Sequence, residues 1–308
     1  MSLIIADRRD ITDGTAAAFL QKVSSPIPIV LIAWSHRYRF NPALRDLKDY
    51  ILVDYCEYGY DHVMTESHIW GQNSEKFPRY YEDQWVEFDD WVKENPPKLF
   101  LKRELLQKDV TDKIQPIDYP CFYANREVAS KESFDGRPIT AFYYWGRSHE
   151  ARLRLHSNIW KAASEKGFAV LDNIAFFEKF VTEEQGRKWV TLNIPHYGRI
   201  DIRELLGRQV FSKTSIALPG AGVKTFRHCE SSVNSVMVKW RDELAWSFSW
   251  NESNCILTSE GNEIEDIEAA VQNPNLYEIY LKGIENCQKY LLPNYIQHIE
   301  SIIQNAIA

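Results

Sequence analysis

The sequence predicts an α/β protein built as two successive halves, and three observations carry that prediction. Its 308 residues suffice for two domains of ordinary size or one large α/β domain. Continuous apolar runs, among them Ile29 to Trp34 and Tyr50 to Tyr55, have the pattern of strands buried on both faces of a parallel sheet. The stretch from Phe211 to Trp240 reads as strand, Pro-Gly-Ala-Gly turn, helix and strand, which is a βαβ unit.

In chain order, residues 10 to 23 form a short helix capped by Asp13, with Ala17, Leu20 and Val23 on one face. The strand from Ile29 ends in Ser35-His36-Arg37, at the strand end where open α/β sheets carry their ligand-contacting loops. A long polar, acidic and aromatic stretch from Cys56 to Pro97 follows the second strand, with an amphipathic helix from Tyr81 to Lys93 on which Trp85, Phe88, Trp91 and Val92 fall at helical spacing. An insertion of this length at a sheet's ligand edge suits recognition of an acceptor. Lys98 to Glu104 is a third strand, and a linker containing Asp135-Gly136-Arg137-Pro138 closes the first half.

The second half opens with a strand from Ile139 to Trp145, then a helix capped by Ser148 that runs to Lys166 and stops at Gly167. Strands follow at Phe168 to Leu171 and Trp189 to Ile194, with a helix from Ile202 to Phe211. The alternation of Trp246, Phe248 and Trp250 predicts a half-buried strand, and Cys255 to Thr258 another. Glu263 to Val271 is helical, and so is the region from Leu276 to Ile307, which Pro293 kinks or splits.

Composition narrows the function classes. Apolar content of 44% and charged content of 26% are those of a globular protein, and 36 Lys+Arg against 43 Asp+Glu give a net charge of −7. No overall basic field holds a polyanion, although a local basic groove such as His36 to Arg39 remains open. The five cysteines are far apart and include no C-x-x-C, as in reduced core thiols of a cytoplasmic protein. The chain offers no secretory leader pattern and no apolar run long enough to span a membrane.

The chemistry concentrates at the glycine turn. Glycines at a helix start let a ligand approach bare backbone N–H groups, and the positive helix end favours an anion. Lys224 and Arg227 in the first turns oppose the helix dipole, a conflict that a bound phosphate resolves. Arg147 and Arg152 crowd the start of the helix after the Ile139 strand in the same way. Adjacent Asp89-Asp90 reads as a solvated helix face, and no Asp-x-Asp metal triad occurs. No G-x-G-x-x-G follows either early strand, which disfavours an oxidoreductase.

With its linked α/β halves, the glycine turn with Arg227 and Glu230, NPNLYEIYLKG and a long terminal helix, the chain resembles glycosyltransferases of the GT-B type, in particular exostosin-like and group 1 sugar transferases. LFLKREL at Leu99 to Leu105 is similar to the end of the N-terminal domain in some of those enzymes. The resemblance covers most of the second half and scattered pieces of the first. It implies two Rossmann-like domains facing across a cleft: an acceptor domain at 1–135, a donor-binding domain at 136–275, and a helical segment at 276–308 that returns to the first domain.

The resemblance also implies transfer of a sugar from a nucleotide-sugar donor to a carbohydrate acceptor, with no cofactor besides the donor and no metal. Gly220, Gly222, Lys224, Thr225 and Arg227 would lie near the donor phosphates, with Arg152 from the earlier turn and Glu230 on the ribose. The chain departs from the Glu-x7-Glu pair of many retaining members, because Val238 stands where the second glutamate would be. An inverting transfer needs a general base from the first half, for which Asp61 and His36 are preferred over Glu57 and His62. Two alternatives stay open: a DNA-base glycosyltransferase of the phage kind, and a non-catalytic nucleotide- or sugar-binding protein of the same fold.

Overall fold

Residues buried on alternate sides of short apolar strands build the first of two parallel sheets. The computed structural model describes residues 3–5, 14–32, 40–55, 82–123, 127–142, 202–217 and 227–307, together with positions 158, 161, 170, 171 and 224. Strands β1 (Leu3–Ile5), β2 (Ile29–Ile32), β3 (Ile51–Asp54), β4 (Leu99–Lys102) and β5 (Ile114–Pro116) lie side by side in that order, each parallel to the next. Every residue of β2, β3 and β4 is buried, as a sheet covered on both faces requires.

The two faces belong to different cores because side chains alternate along a strand. Ile29, Leu31, Ile51, Val53, Leu99 and Leu101 point to one face, where helix α1 (Gly14–Leu20) adds Ala16, Phe19 and Leu20. Val30, Ile32, Leu52 and Phe100 point to the other, against Phe88, Trp91 and Val92 of helix α2 (Glu82–Glu94). The apolar runs end at their carboxyl edge in charge: Lys102 Nζ donates to Asp54 Oδ2 at 2.9 Å, and both side chains are buried. β1 and β5 were not expected from the sequence; each is only three residues long and sits at an edge of the sheet.

A short helix, α3 (Lys131–Asp135), runs up to the predicted linker, capped by the Ser130 hydroxyl, which accepts from the Ser133 N–H at 3.2 Å. Arg137 follows it and fastens the start of the second sheet. Its guanidinium donates to the carbonyls of Ser212 (2.8 Å) and Asn234 (2.5 Å) and lies 4.8 Å and 5.0 Å from the ring centres of Phe134 and Tyr280.

The second sheet contains β6 (Ile139–Phe142), β7 (Val170–Leu171), β8 (Ser212–Ile216), β9 (Val236–Trp240) and β10 (Ile256–Thr258), all parallel, in the order β10-β9-β8-β6-β7. Between them run α4 (Ile202–Gln209) and α5 (Arg227–Ser232). After β10 come α6 (Glu263–Val271) and α7 (Leu276–Lys289), whose Ile264, Ile267, Leu276, Tyr280 and Ile284 join Val236, Val238 and Ile216 in one core. The predicted strand at Trp189 to Ile194 lies outside the described residues, as does most of the predicted helix from Ser148 to Lys166. Trp246, Phe248 and Trp250 lie outside any strand: Phe248 meets Tyr290 edge-on at 5.1 Å and Trp250 stacks on it at 5.8 Å.

Pro293 splits the terminal helical region, giving α8 (Leu292–Ile307) its own start. This last helix leaves the second half and returns to the first. Tyr295, Ile299 and Ile303 enter the core under β2, β3 and β4, Tyr295 stacks on Phe19 at 5.4 Å, and the Ser24 N–H donates to Glu300 Oε1 at 2.6 Å. The architecture is therefore the pair of parallel α/β units with a returning C-terminal helix that the sequence predicts.

Candidate functional site

Strand order singles out one place in the second sheet. The chain steps from β6 to β7 on one side and then places β8 on the other side of β6, so the order reverses between β6 and β8. Ligands of open α/β sheets bind outside the carboxyl ends of the strands at such a switch point. The segments that leave these two ends are the two cation-bearing turns of the sequence. One follows β6 toward Arg152, and the other follows β8 through Gly220, Gly222, Lys224 and Thr225 to Arg227. Arg152, Gly220, Gly222 and Thr225 lie outside the described residues, and so do His36 and Asp61 after β2 and β3. Lys224, Arg227 and Glu230 are described.

Lys224 is 1% exposed, and groups from distant parts of the chain hold both ends of the residue. Its backbone N–H donates to Glu104 Oε1 at 3.0 Å, just beyond β4 in the first half. Its ammonium sits 2.6 Å from Asp118 Oδ1, donates to the Ala245 carbonyl, and faces the Trp246 ring at 5.0 Å. A buried ammonium needs this kind of enclosure, because desolvation of an unpaired charge costs several kcal/mol. Asp118 is itself a hub: Oδ2 accepts from the Ser247 N–H at 2.7 Å and from the Tyr290 hydroxyl at 3.2 Å, while its N–H donates to the Tyr295 hydroxyl oxygen at 2.5 Å. Burial pushes both phenols well above their ordinary range, and the Asp118 charge adds to the effect.

The sequence reading gave Glu104 and Trp246 only as strand residues and Asp118 no role at all. Charge directly after the LFLK run was the available signal for Glu104. Asp118 between Pro116 and Pro120 carries none.

Arg227 opens α5, and its Nη1 donates to Glu230 Oε2 at 2.7 Å one turn on. The pair is not fully enclosed: the Arg227 side chain is 22% exposed and that of Glu230 12%. Burial raises the Glu230 carboxyl to about 7, against the lowering effect of Arg227. His228 packs behind the pair, 2% exposed, with its ring edge-on to Trp246 at 4.8 Å. The site thus presents one partly exposed guanidinium with a titratable carboxyl beside it, on a turn locked to the first half through Lys224. Such an arrangement can bind an anion by charge-assisted hydrogen bonds.

No family model matches the sequence, and no curated protein is significantly similar to it. Among solved structures, the chain is similar to the GtfA/B complex with 11% identity and a TM-score of 0.53, over 93% of this chain and 58% of the other. TarM is similar at 11% identity and a TM-score of 0.47, over 90% of this chain and 54% of the other. An alpha-glucosyltransferase in complex with UDP and a 13-mer DNA containing a central A:G mismatch is similar at 12% identity and a TM-score of 0.44, over 95% and 83% of the two chains. The first of these bears on the fold, and with the two parallel sheets and the returning helix it places the chain in the GT-B architecture. The chain spans 58% of the length of that structure's chain. Among the described residues, no helix is long and apolar enough to cross a membrane.

Proposed function

We propose that the protein is a glycosyltransferase that moves a sugar from a nucleotide-sugar donor to a carbohydrate acceptor such as a glycan, lipopolysaccharide or capsule chain. The observation that carries this reading is the coincidence of the switch point between β6 and β8 with the turn that bears Lys224 and the Arg227–Glu230 pair. In this reading residues 136–275 hold the donor, residues 1–135 the acceptor, and residues 276–308 link them. Arg227 and Arg152 meet the diphosphate with the backbone of Gly220, Gly222 and Thr225. Lys224 serves by holding the turn in place, and Glu230 meets the ribose.

The step that needs help is departure of the nucleoside diphosphate, whose oxygens gain charge as the glycosidic bond to it breaks. Arg227 supplies a fixed counter-charge there, so transfer proceeds without a divalent metal. Turnover unchanged by EDTA is the expected result, and loss of turnover restored by magnesium or manganese overturns that part of the reading. A base on the first half takes the acceptor hydroxyl's proton, with Asp61 and His36 the candidates. Cys121, Cys229, Cys255 and Cys287 are free thiols, which suits a cytoplasmic protein.

A thermal-shift screen against a panel of nucleotide sugars tests the reading, because a bound donor raises the denaturation midpoint by mass action. Arg227→Ala is expected to weaken nucleoside diphosphate binding by roughly 1.5–3 kcal/mol, the range for hydrogen bonds to charged groups. Unchanged affinity for UDP, GDP and ADP alike removes the donor-site assignment.

The buried pairing of Lys224 with Asp118 favours one competing reading, a non-catalytic binder, since it withdraws one of the expected phosphate contacts. Slow donor hydrolysis without acceptor separates the two, because a binder leaves the nucleotide sugar intact. A DNA base as acceptor predicts salt-dependent duplex binding, and no binding at low salt excludes it.

A further inference from the structure

Three thiols from three separate parts of the chain meet beneath α5. Cys121 lies in the segment that follows β5, Cys229 stands on α5 between His228 and Glu230, and Cys287 lies near the end of α7. Their exposures are 2%, 4% and 4%. Cys287 Sγ lies 3.7 Å from Cys121 Sγ and 3.5 Å from the Cys229 carbonyl oxygen, and its single S–H is shared between these two acceptors.

The main chain holds the first and last of these together from both sides. The Cys121 N–H donates to the Tyr290 carbonyl at 2.7 Å, its carbonyl accepts from the Leu292 N–H at 3.1 Å, and Cys121 bridges Leu291 in parallel register. Tyr290 in turn donates its N–H to the Cys287 carbonyl at 3.0 Å. A disulfide bond is about 2.0 Å long. Its sulfurs would have to approach by only about 1.7 Å from the observed 3.7 Å.

A buried cysteine ordinarily acts as a small apolar filler. Here the Cys121 sulfur accepts hydrogen bonds from Cys229 and Cys287, which hold its thiol well below the ordinary range despite burial. The thiolate is the nucleophilic form. Cys255, by contrast, lies apart from the cluster, and its burial pushes it up to about 12.

We propose that Cys121 and Cys287 are a redox-active pair, which hydrogen peroxide converts to a disulfide that ties the segment after the first sheet to α7 of the second half. The Cys121 thiolate attacks a peroxide oxygen, the O–O bond breaks, and the departing hydroxide takes up a proton as water. This leaves a sulfenic acid on Cys121. The Cys287 sulfur then attacks the Cys121 sulfur, the S–O bond breaks, and a second water leaves with the Cys287 proton. The two thiols lose two electrons and the peroxide gains them.

Closing this bond removes the S–H that Cys287 offers to the Cys229 carbonyl, so oxidation takes a contact away from the helix carrying Arg227 and Glu230. The pair does not depend on the proposed transferase activity.

The test treats the folded full-length protein with hydrogen peroxide, blocks remaining thiols with N-ethylmaleimide, and maps peptides without reductant. The expected product is a linked pair of peptides carrying Cys121 and Cys287, lighter by two hydrogen atoms than the free pair. The urea midpoint should shift upward on oxidation and return with dithiothreitol, since the bond closes a long loop of the unfolded chain. Cys121→Ser should lose both the link and the shift, whereas Cys255→Ser should keep both. If Cys121→Ser does not fold, the wild-type peptide map decides alone. Thiols that remain fully reduced, or a link through Cys229, Cys255 or a second molecule, overturn the proposal.

Discussion

Lys224 is the residue at which sequence logic and structure diverge most. A cation at a helix start suggests a phosphate ligand, yet its ammonium is enclosed by Asp118, Ala245 and Trp246. Removing one partner of a buried ion pair strands the other charge, so Asp118→Ala should cost about 3–5 kcal/mol in urea denaturation. The double change Lys224→Met with Asp118→Leu should recover much of that loss, because it leaves neither charge behind.

Glu230 carries the opposite kind of prediction. Its folded carboxyl, at about 7, lies above the ordinary 4.5, so the folded state holds a proton that the unfolded state has released across that window. Stability therefore falls as pH rises from about 4.5 to about 7, by at most roughly 3 kcal/mol. Glu230→Gln should flatten this part of the stability profile, and an unchanged slope would show that burial does not hold the proton there.

At the scale of elements, α7 leaves no room for a side chain at Gly283. A Cβ on Gly283 would come within 2.8 Å of the Asn254 carbonyl oxygen, whose loop is held to the same helix by Asn286 Nδ2 donating to the Ser249 carbonyl at 3.1 Å. Gly283→Ala should destabilise the protein by about 1–3 kcal/mol, read as a lower thermal midpoint. The central strands were legible in the sequence because burial on two faces leaves unbroken apolar runs, as in Ile29–Ile32 and Leu99–Lys102. The three-residue edge strands were not, since such segments need no periodic pattern to pair. Alternation misled at Trp246 to Trp250, where the rings answer to side-chain partners and not to a sheet: Lys224 and Lys239 face Trp246, while Phe248 and Trp250 both pack on Tyr290. At the candidate site, dipole conflict drew attention to Lys224 and Arg227. Asp118, which faces the Lys224 ammonium, and Glu104, which accepts from its backbone N–H, come from the other half of the chain, at separations that no local pattern encodes.

At the scale of the whole molecule, the two sheets are joined by more than a linker. The Leu106–Leu244 bridge, the Gln107 N–H to Glu243 carbonyl bond at 2.8 Å and the Asp118 hub all connect them. α8 completes the core of the first sheet with residues from the far end of the chain. Ending the chain at Leu291 should therefore lower hydrogen-exchange protection in β2, β3 and β4, although none of those strands is altered; unchanged protection would show that α8 is dispensable to that core. The same helix has a consequence for biosynthesis. A ribosome adding about 5–20 residues per second needs roughly 10–40 s to go from β5 to the end of α8. Through that interval the face of the nascent first half that carries Leu31, Val53 and Leu101 has α1 but not α8 to cover it. A nascent chain halted before α8 is expected to bind chaperones through this face, and one halted after it much less.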